Sequence, residues 1–196
     1  MIHFVNRVSD YPIQPFFLSR VSSRAFSEER LTEEELMTIF EAARWAPSSY
    51  NSQPWRFIYV RRGEKDWHLL FDTLVEFNKS WCKNADTLIL VLSRKQFTHN
   101  EKPCRTAQFD AGSAWMSLAL EAHFQKVVAH GMEGFDYEAA RKNFEVSDKY
   151  NIEAMIALGK PGSPETLSEE LQEKEIPTLR KPLNEILSKG KEVIFN

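Results

Sequence analysis

Glycine is scarce in this 196-residue chain, with seven residues in all, under 4% of the sequence, against a usual share of about 7%. They stand at Gly63, Gly112, Gly131, Gly134, Gly159, Gly162 and Gly190, and no two are separated by a single residue. That spacing excludes the G-x-G-x-x-G and Walker loops, whose close-set glycines let backbone N–H groups wrap a phosphate. Any nucleotide must therefore be gripped by something other than a glycine-rich loop. Cysteine is scarcer still. Cys82 and Cys104 lie 22 residues apart without a C-x-x-C pair or a histidine at ligand spacing, which speaks against a disulfide scaffold and a structural zinc. Two buried thiols in a reducing, cytoplasmic setting are expected instead. No apolar run approaches the roughly 18 residues of a membrane span, and none near Arg7, Asp10 and Arg20 suits a signal peptide, so a soluble chain without a membrane partner is expected. Charge of one sign is also missing. Twenty-five Lys and Arg offset twenty-eight Asp and Glu for a net charge of −3, leaving no global field to attract nucleic acid.

What is present reads as one α+β domain spanning residues 1–196, a small mixed or antiparallel sheet clasped by helices. Thr32 and Glu35 form a capping box ahead of Leu36, Ile39, Phe40 and Ala43, and Pro47 ends that helix just after Trp45. Trp55 to Arg61 is apolar on both alternating faces and predicts a fully buried strand. Trp67, Leu70, Phe71, Leu74 and Phe77 predict one amphipathic helix whose stripe is core. Thr87 to Ser93 predicts a strand, and Arg105 to Phe124 a helix apolar nearly all round, hence central. Shorter elements follow: a strand from Lys126 to His130, a helix capped by Asp136 and ending near Phe144, and a strand from Ile152 to Leu158 closed by Gly159. Short helices are expected around Glu169 to Lys174 and Leu183 to Leu187. The apolar tip Val193 to Phe195 needs a place to bury itself.

Three constellations could carry chemistry. Ala46 to Trp55 packs Ser48, Ser49, Asn51, Ser52 and Gln53 between prolines, which makes either a stiff hydrogen-bonding rim or a plain connecting turn. In Ser19 to Phe26, Arg20, Ser22 and Arg24 alternate, so an extended backbone points all three one way. Paired guanidiniums and a hydroxyl suit a phosphate or a carbonyl-rich ring edge, although surface arginines are usually just solvated. Arg180 with Lys181 is a third basic group open to the same two readings. No Ser/His/Asp or Cys/His spacing marks a side-chain nucleophile.

The ordered set R-x-S-x-R, A-R-W-A-P-S-S-Y-N-S-Q-P-W-R-F, N-K-S-W before an Ala-led strand, F-D-A-G-S-A-W-M-S-L-A-L-E-A-H, M-E-G-F-D and R-K-P-L-N-E-I covers nearly the whole chain. It resembles the FMN-dependent nitroreductase family. The resemblance implies a homodimer with two FMN sites at the subunit interface. Arg20, Ser22 and Arg180 would hold the phosphate and ribityl chain, with Lys181 assisting, and Arg24 and Asn78 would address the pyrimidine edge. Pro47, Ser48, Ser49, Asn51 and Gln53 would reach the flavin, in part from the partner subunit. Met132, Glu133 and Gly134 would line one ring face, with the Glu133 backbone N–H near flavin N5, and Gly131 and Gly134 would let backbone lie against a flat ring. The chain departs from the family at Val21, where many members have a basic or aromatic residue, and at Trp81, where some have a lysine. It is also short over Lys95 to Thr106, where longer members cover the substrate pocket.

The implied activity is ping-pong transfer of two electrons from NADH or NADPH through flavin N5 to nitroaromatics or quinones. Arg24 would stabilise negative charge on the reduced ring. His130 is either a proton donor near the ring or a hydrogen-bonded core histidine. Two other readings compete. The same fold supports flavin cleavage, azoline oxidation and dehalogenation. Alternatively, Trp55, Phe57 and Tyr59 with Arg56, Arg61 and Arg62 could form a stacking platform for single-stranded nucleic acid in a non-enzymatic binding module, although Ile58 and Val60 on the other face favour a core strand.

Overall fold

The computed structural model describes residues 7–191, so the expected apolar tip at Val193 to Phe195 lies outside the described residues. The chain opens on a single helical turn, α1 (Phe16–Ser19), followed by an extended run through Arg20. Helix α2 (Glu33–Arg44) carries the predicted capping box: Thr32 accepts from Glu35 N and the Glu35 carboxylate accepts from Thr32 N. Strand β1 (Trp55–Arg61) leads to α3 (Trp67–Phe71), α4 (Glu76–Cys82) and β2 (Thr87–Arg94). After α5 (Ala107–Phe124) come β3 (Val128–Met132), α6 (Tyr137–Asn143), β4 (Tyr150–Gly159) and α7 (Glu169–Glu173).

The four strands run β1-β2-β4-β3, every neighbouring pair antiparallel. Side chains alternate across the sheet. On one face Ile89, Val91, Ile156 and Leu158 pack with Leu36 and Ile39 of α2 and with Ala114 and Leu118 of α5. On the other, Leu88, Leu90, Leu92 and Met155 pack with Leu70 of α3, Trp81 and Cys82 of α4 and Ala140 of α6. The sheet is thus clasped by helices on both sides, and α5 is its long central helix.

Two expectations fail for identifiable reasons. Strand β1 is not fully buried: it is an edge strand, with Arg56 exposed and Tyr59 40% exposed. Its apolar second face, Ile58 and Val60, does pack inward. The single helix expected over Trp67 to Phe77 is two helices. Thr73 Oγ1 donates to Leu70 O at 2.7 Å, and the backbone of residues 73–75 bonds to residues 134–136 instead of continuing the helix: Val75 N donates to Gly134 O and Asp136 N to Thr73 O. Phe77 consequently leaves the core and is 44% exposed. Tertiary pairing has overridden local periodicity here, and it brings α4 against the end of β3. Strand β3 also begins two residues late, because Lys126 turns the chain with φ +57° after α5. The expected helix at Leu183 to Leu187 is a 3-10 turn over Leu183–Glu185.

Candidate functional site

The predicted site residues fall into three groups. The first is basic. Arg20 Nη1 donates to Ser22 Oγ at 3.2 Å, as expected of alternating residues on extended backbone. Arg180 reaches the same neighbourhood from the C-terminal segment, where its Nη1 donates to Thr178 O at 3.3 Å. Arg7 lies between them. Partial burial, then repulsion from Arg180, holds the guanidiniums of Arg7 and Arg20 below the usual arginine value. No carboxylate among the described residues forms an ion pair with Arg7, Arg20 or Arg180. A shallow cleft of about 230 Å³ opens beside Arg20, with His123 and Lys126 on its wall. Burial, then the charge on Arg20, lowers the His123 pKa. Lys181 is not drawn into this group; its ammonium sits 3.8 Å from Glu185 and is largely exposed.

The second group is buried. Helix α4 carries Asn78 and Trp81 one turn apart, so both face the same way. Asn78 Nδ2 donates to Gly134 O at 3.0 Å. A Cβ at residue 134 would lie 2.5 Å from that nitrogen, so a larger residue there would push the Asn78 amide aside. Arg24 lies over the Trp81 ring, 5.9 Å from its centroid, and the His130 ring stands 4.6 Å away on another side. Glu175 organises the strand entering this group: it accepts from Ser23 Oγ at 2.5 Å and from Arg24 N at 2.9 Å, and lies 3.7 Å from the Arg24 guanidinium. Arg24 Nε and Trp81 Nε1 are buried without a hydrogen-bond partner. Leaving such a donor unmade costs about 1–3 kcal/mol.

His130 is 8% exposed, and its Nδ1 lies 3.0 Å from Ser23 O. Burial lowers its pKa more than the Ser23 bond raises it, and Arg24 lowers it further. It is a neutral, hydrogen-bonded core ring. Met132 is buried with Cys82 Sγ 3.8 Å from its sulfur. Burial pushes the Cys82 thiol well above its ordinary pKa, leaving it inert as a nucleophile. Glu133 is exposed and its carbonyl accepts from Phe135 N at 2.8 Å. Gly131 meets a flat ring belonging to this chain, since a Cβ there would lie 3.1 Å from Trp115. Its glycine is thereby explained by packing.

The third group is the loop after α2. Tyr50, Asn51 and Gln53 all have positive φ, at +53°, +51° and +47°, a conformation that costs non-glycine residues about 1–2 kcal/mol each. Fixed contacts hold the loop there. Ser49 N donates to Asp110 Oδ2 at 3.1 Å, Gln53 N to Ser48 Oγ at 3.0 Å, and Gln53 Nε2 to Asn51 O at 2.9 Å. Pro47 and Asn51 are exposed, and Ser52 Oγ is a buried hydroxyl without a partner. The loop's contacts run to Asp110, Arg56, Phe97 and His99, so within one chain it stands apart from the other two groups. Its backbone is thus fixed by its own hydrogen bonds and by Asp110.

Sequence reasoning missed Arg7, Asp110 and Glu175. Asp110 carried a signal, a lone carboxylate in the first turn of an otherwise apolar helix, whereas Arg7 and Glu175 carried none. Among the described residues no cluster of His, Cys, Asp or Glu could hold a metal, and no helix is long and apolar enough to cross a membrane.

Comparison with known proteins places the chain among flavin-dependent relatives by sequence and fold. A solved structure described as an oxidoreductase containing FMN is 40% identical, superposes with a TM-score of 0.92, and matches over 98% of this chain and 99% of that one. A Streptomyces coelicolor protein whose name pairs NADH dehydrogenase with NAD(P)H nitroreductase is 26% identical over 161 residues, 72% of this chain and 81% of that protein. The major NAD(P)H-flavin oxidoreductase of Aliivibrio fischeri is 28% identical over 94 residues, 46% of this chain and 43% of its own. The profile of the nitroreductase family matches residues 18–71 and 66–160. The chain belongs to the nitroreductase family.

Proposed function

We propose that this FMN-linked NAD(P)H oxidoreductase moves two electrons at a time, in alternating half-reactions, from NADH or NADPH to electron-poor acceptors such as nitroaromatics and quinones. One observation carries the reading: a basic group without a carboxylate partner, Arg20 with Arg180, adjoins a buried pair of unmatched donors, Arg24 Nε and Trp81 Nε1. A phosphate on the first and a carbonyl-rich ring edge on the second would satisfy both, and FMN combines the two. The residues fit the group. Bound FMN supplies the redox chemistry at N5, so no side-chain nucleophile is required.

The chain's own residues do the rest. Arg20, Ser22 and Arg180 would hold the phosphate through charge-assisted hydrogen bonds, and Lys181 would come to assist by leaving Glu185. Arg24 would stabilise negative charge at the pyrimidine edge, and Trp81 makes that edge less cationic than a lysine would. Asn78, held by Gly134, would fix the ring's position beside Met132 and the Glu133 backbone. The rim of Pro47, Ser48, Ser49, Asn51 and Gln53 would close the site from a partner subunit. Such a homodimer has support in exposed apolar side chains along α5 and the rim: Phe109 at 80%, Phe124 at 59%, Trp45 at 74% and Tyr50 at 84%. Residues 1–196 are read as one domain, and the two free, buried cysteines suit the cytoplasm.

A nucleic-acid platform on β1 has no support, because Trp55 and Phe57 pack into the core. No residue marks flavin cleavage, azoline oxidation or dehalogenation. The test is an anaerobic stopped-flow panel of nitroaromatic, quinone and halogenated acceptors against NADPH-reduced protein, with azolines offered separately as electron donors to the oxidised protein. Fast reoxidation by the first two classes is expected, and reoxidation by neither would overturn the reading.

A further inference from the structure

Arg7 is the one member of the basic group that neither motif contains, and its hydrogen bonds reach two segments far apart in the chain. Its Nη1 donates to two carbonyls that α1 leaves open at its end, Leu18 O at 3.0 Å and Arg20 O at 2.8 Å. Its Nε donates to Thr178 O at 3.1 Å, 171 residues away in the chain. That same carbonyl accepts from Arg180 Nη1 at 3.3 Å. One planar guanidinium thus ties the main chain of Arg20 to the carbonyl that steadies Arg180.

We propose that Arg7 is a positioning residue for the phosphate: it staples the segment that begins the site to the segment that ends it, so that Arg20 and Arg180 converge on one anion. The proposal rests on the flavin reading above. Three properties of Arg7 support it. Only a rigid fork of donors can serve carbonyls on two separate segments at once. Its Nε and Nη1 are engaged by backbone carbonyls of both segments, which suits it to hold those segments in place. Finally, bringing Arg7 and Arg180 onto a shared carbonyl concentrates positive charge with no described carboxylate to balance it, an arrangement that a bound phosphate dianion would stabilise and an empty site would not. Glu175 already ties the C-terminal segment to Ser23 and Arg24; Arg7 adds the tie that acts at Arg20 and Thr178 themselves.

The experiment compares FMN with riboflavin, which has the same ring and ribityl chain but no phosphate. The full chain and its R7A, R7Q and R7K variants are dialysed to remove flavin and titrated with each compound at low and high salt, and the melting temperature is recorded without flavin. The expected result is an FMN Kd raised about tenfold or more in R7A and R7Q, with riboflavin unchanged within about twofold, since loss of positioned charge-assisted bonds reaches only the phosphate. R7K keeps the charge but not the fork, and should recover less than half of the loss on a logarithmic scale. Unchanged FMN affinity in R7A, or equal weakening of both flavins, would overturn the proposal. So would failure of all three variants to fold, which would make Arg7 a residue of the fold alone. A wild-type chain that binds riboflavin and FMN equally well would place the phosphate elsewhere and overturn it too, while one that binds neither contradicts the flavin reading itself.

Discussion

The basic end of the site and its buried end solve different problems. At the basic end, Arg20, Ser22 and Arg180 sit on surface segments, where Arg20 is held by the Ser22 hydroxyl and Arg180 by the Thr178 carbonyl. At the buried end, Asn78, Trp81 and Gly134 are held by core packing and by a contact so close that a methyl group on residue 134 would displace the Asn78 amide. The first recognises by charge and tolerates small displacements. The second recognises by shape and does not. Perturbations of the two ends should therefore have different signatures: changes at the basic end should depend on phosphate and salt, and changes at the buried end on neither.

The largest effect is expected at the basic end. Arg20→Ala or Arg180→Ala should each weaken FMN by about 1.5–3 kcal/mol, roughly ten- to a hundredfold. The loss should shrink at high salt and vanish with riboflavin, as read by fluorescence titration. Unchanged FMN affinity in both would remove the basic end from the site. At the buried end, Gly134→Ala forces Asn78 aside and should cost about 1–3 kcal/mol, as overpacking does. That loss should strike FMN and riboflavin alike and be insensitive to salt. A phosphate-selective loss there would erase the contrast between the ends.

A smaller effect concerns pH. His130 is buried neutral, with its pKa lowered by burial against the opposing bond to Ser23 and the nearby Glu175, while Arg24 lowers it further. The unfolded chain, with a histidine pKa of about 6.5, then binds more protons than the folded chain below that pH. The stability due to neutral His130 is complete above about 6.5 and is lost as pH falls through the folded value. Melting temperature should fall on acidification, and His130→Gln should flatten that fall; an unchanged acid limb would contradict the assignment. Smallest of all, Cys82 should resist thiol reagents in the folded chain and react only on unfolding, since burial holds its thiol protonated. Rapid labelling of the native protein at Cys82 would show the buried end to be open.

The two ends also differed in how far the sequence revealed them. The capping box at Thr32 and Glu35, strand β2 and the Asp136 cap are local patterns, and each formed as its residues dictate. The R-x-S-x-R run was legible for the same reason, because alternation on extended backbone needs no tertiary information. Other features were not legible. The break between α3 and α4 arises because residues 73–75 pair with residues 134–136, a contact across about sixty positions that no local window contains. That break is what sets Asn78 on Gly134. The edge position of β1 depends on strand order rather than on β1 itself. At Gly131 a Cβ would lie 3.1 Å from Trp115, a close approach between β3 and α5 that sequence spacing alone does not reveal. Arg7 and Glu175 act by holding backbone, and such a role leaves no composition or spacing to read.

The most direct test of the account is the spectrum of the purified protein. Dialysed chain reconstituted with FMN should bind one flavin per chain in a dimer, show flavin absorbance, and bleach under argon on addition of NADH or NADPH. A chain that stays colourless after incubation with FMN, or that holds the flavin without bleaching by either nucleotide, would contradict the account.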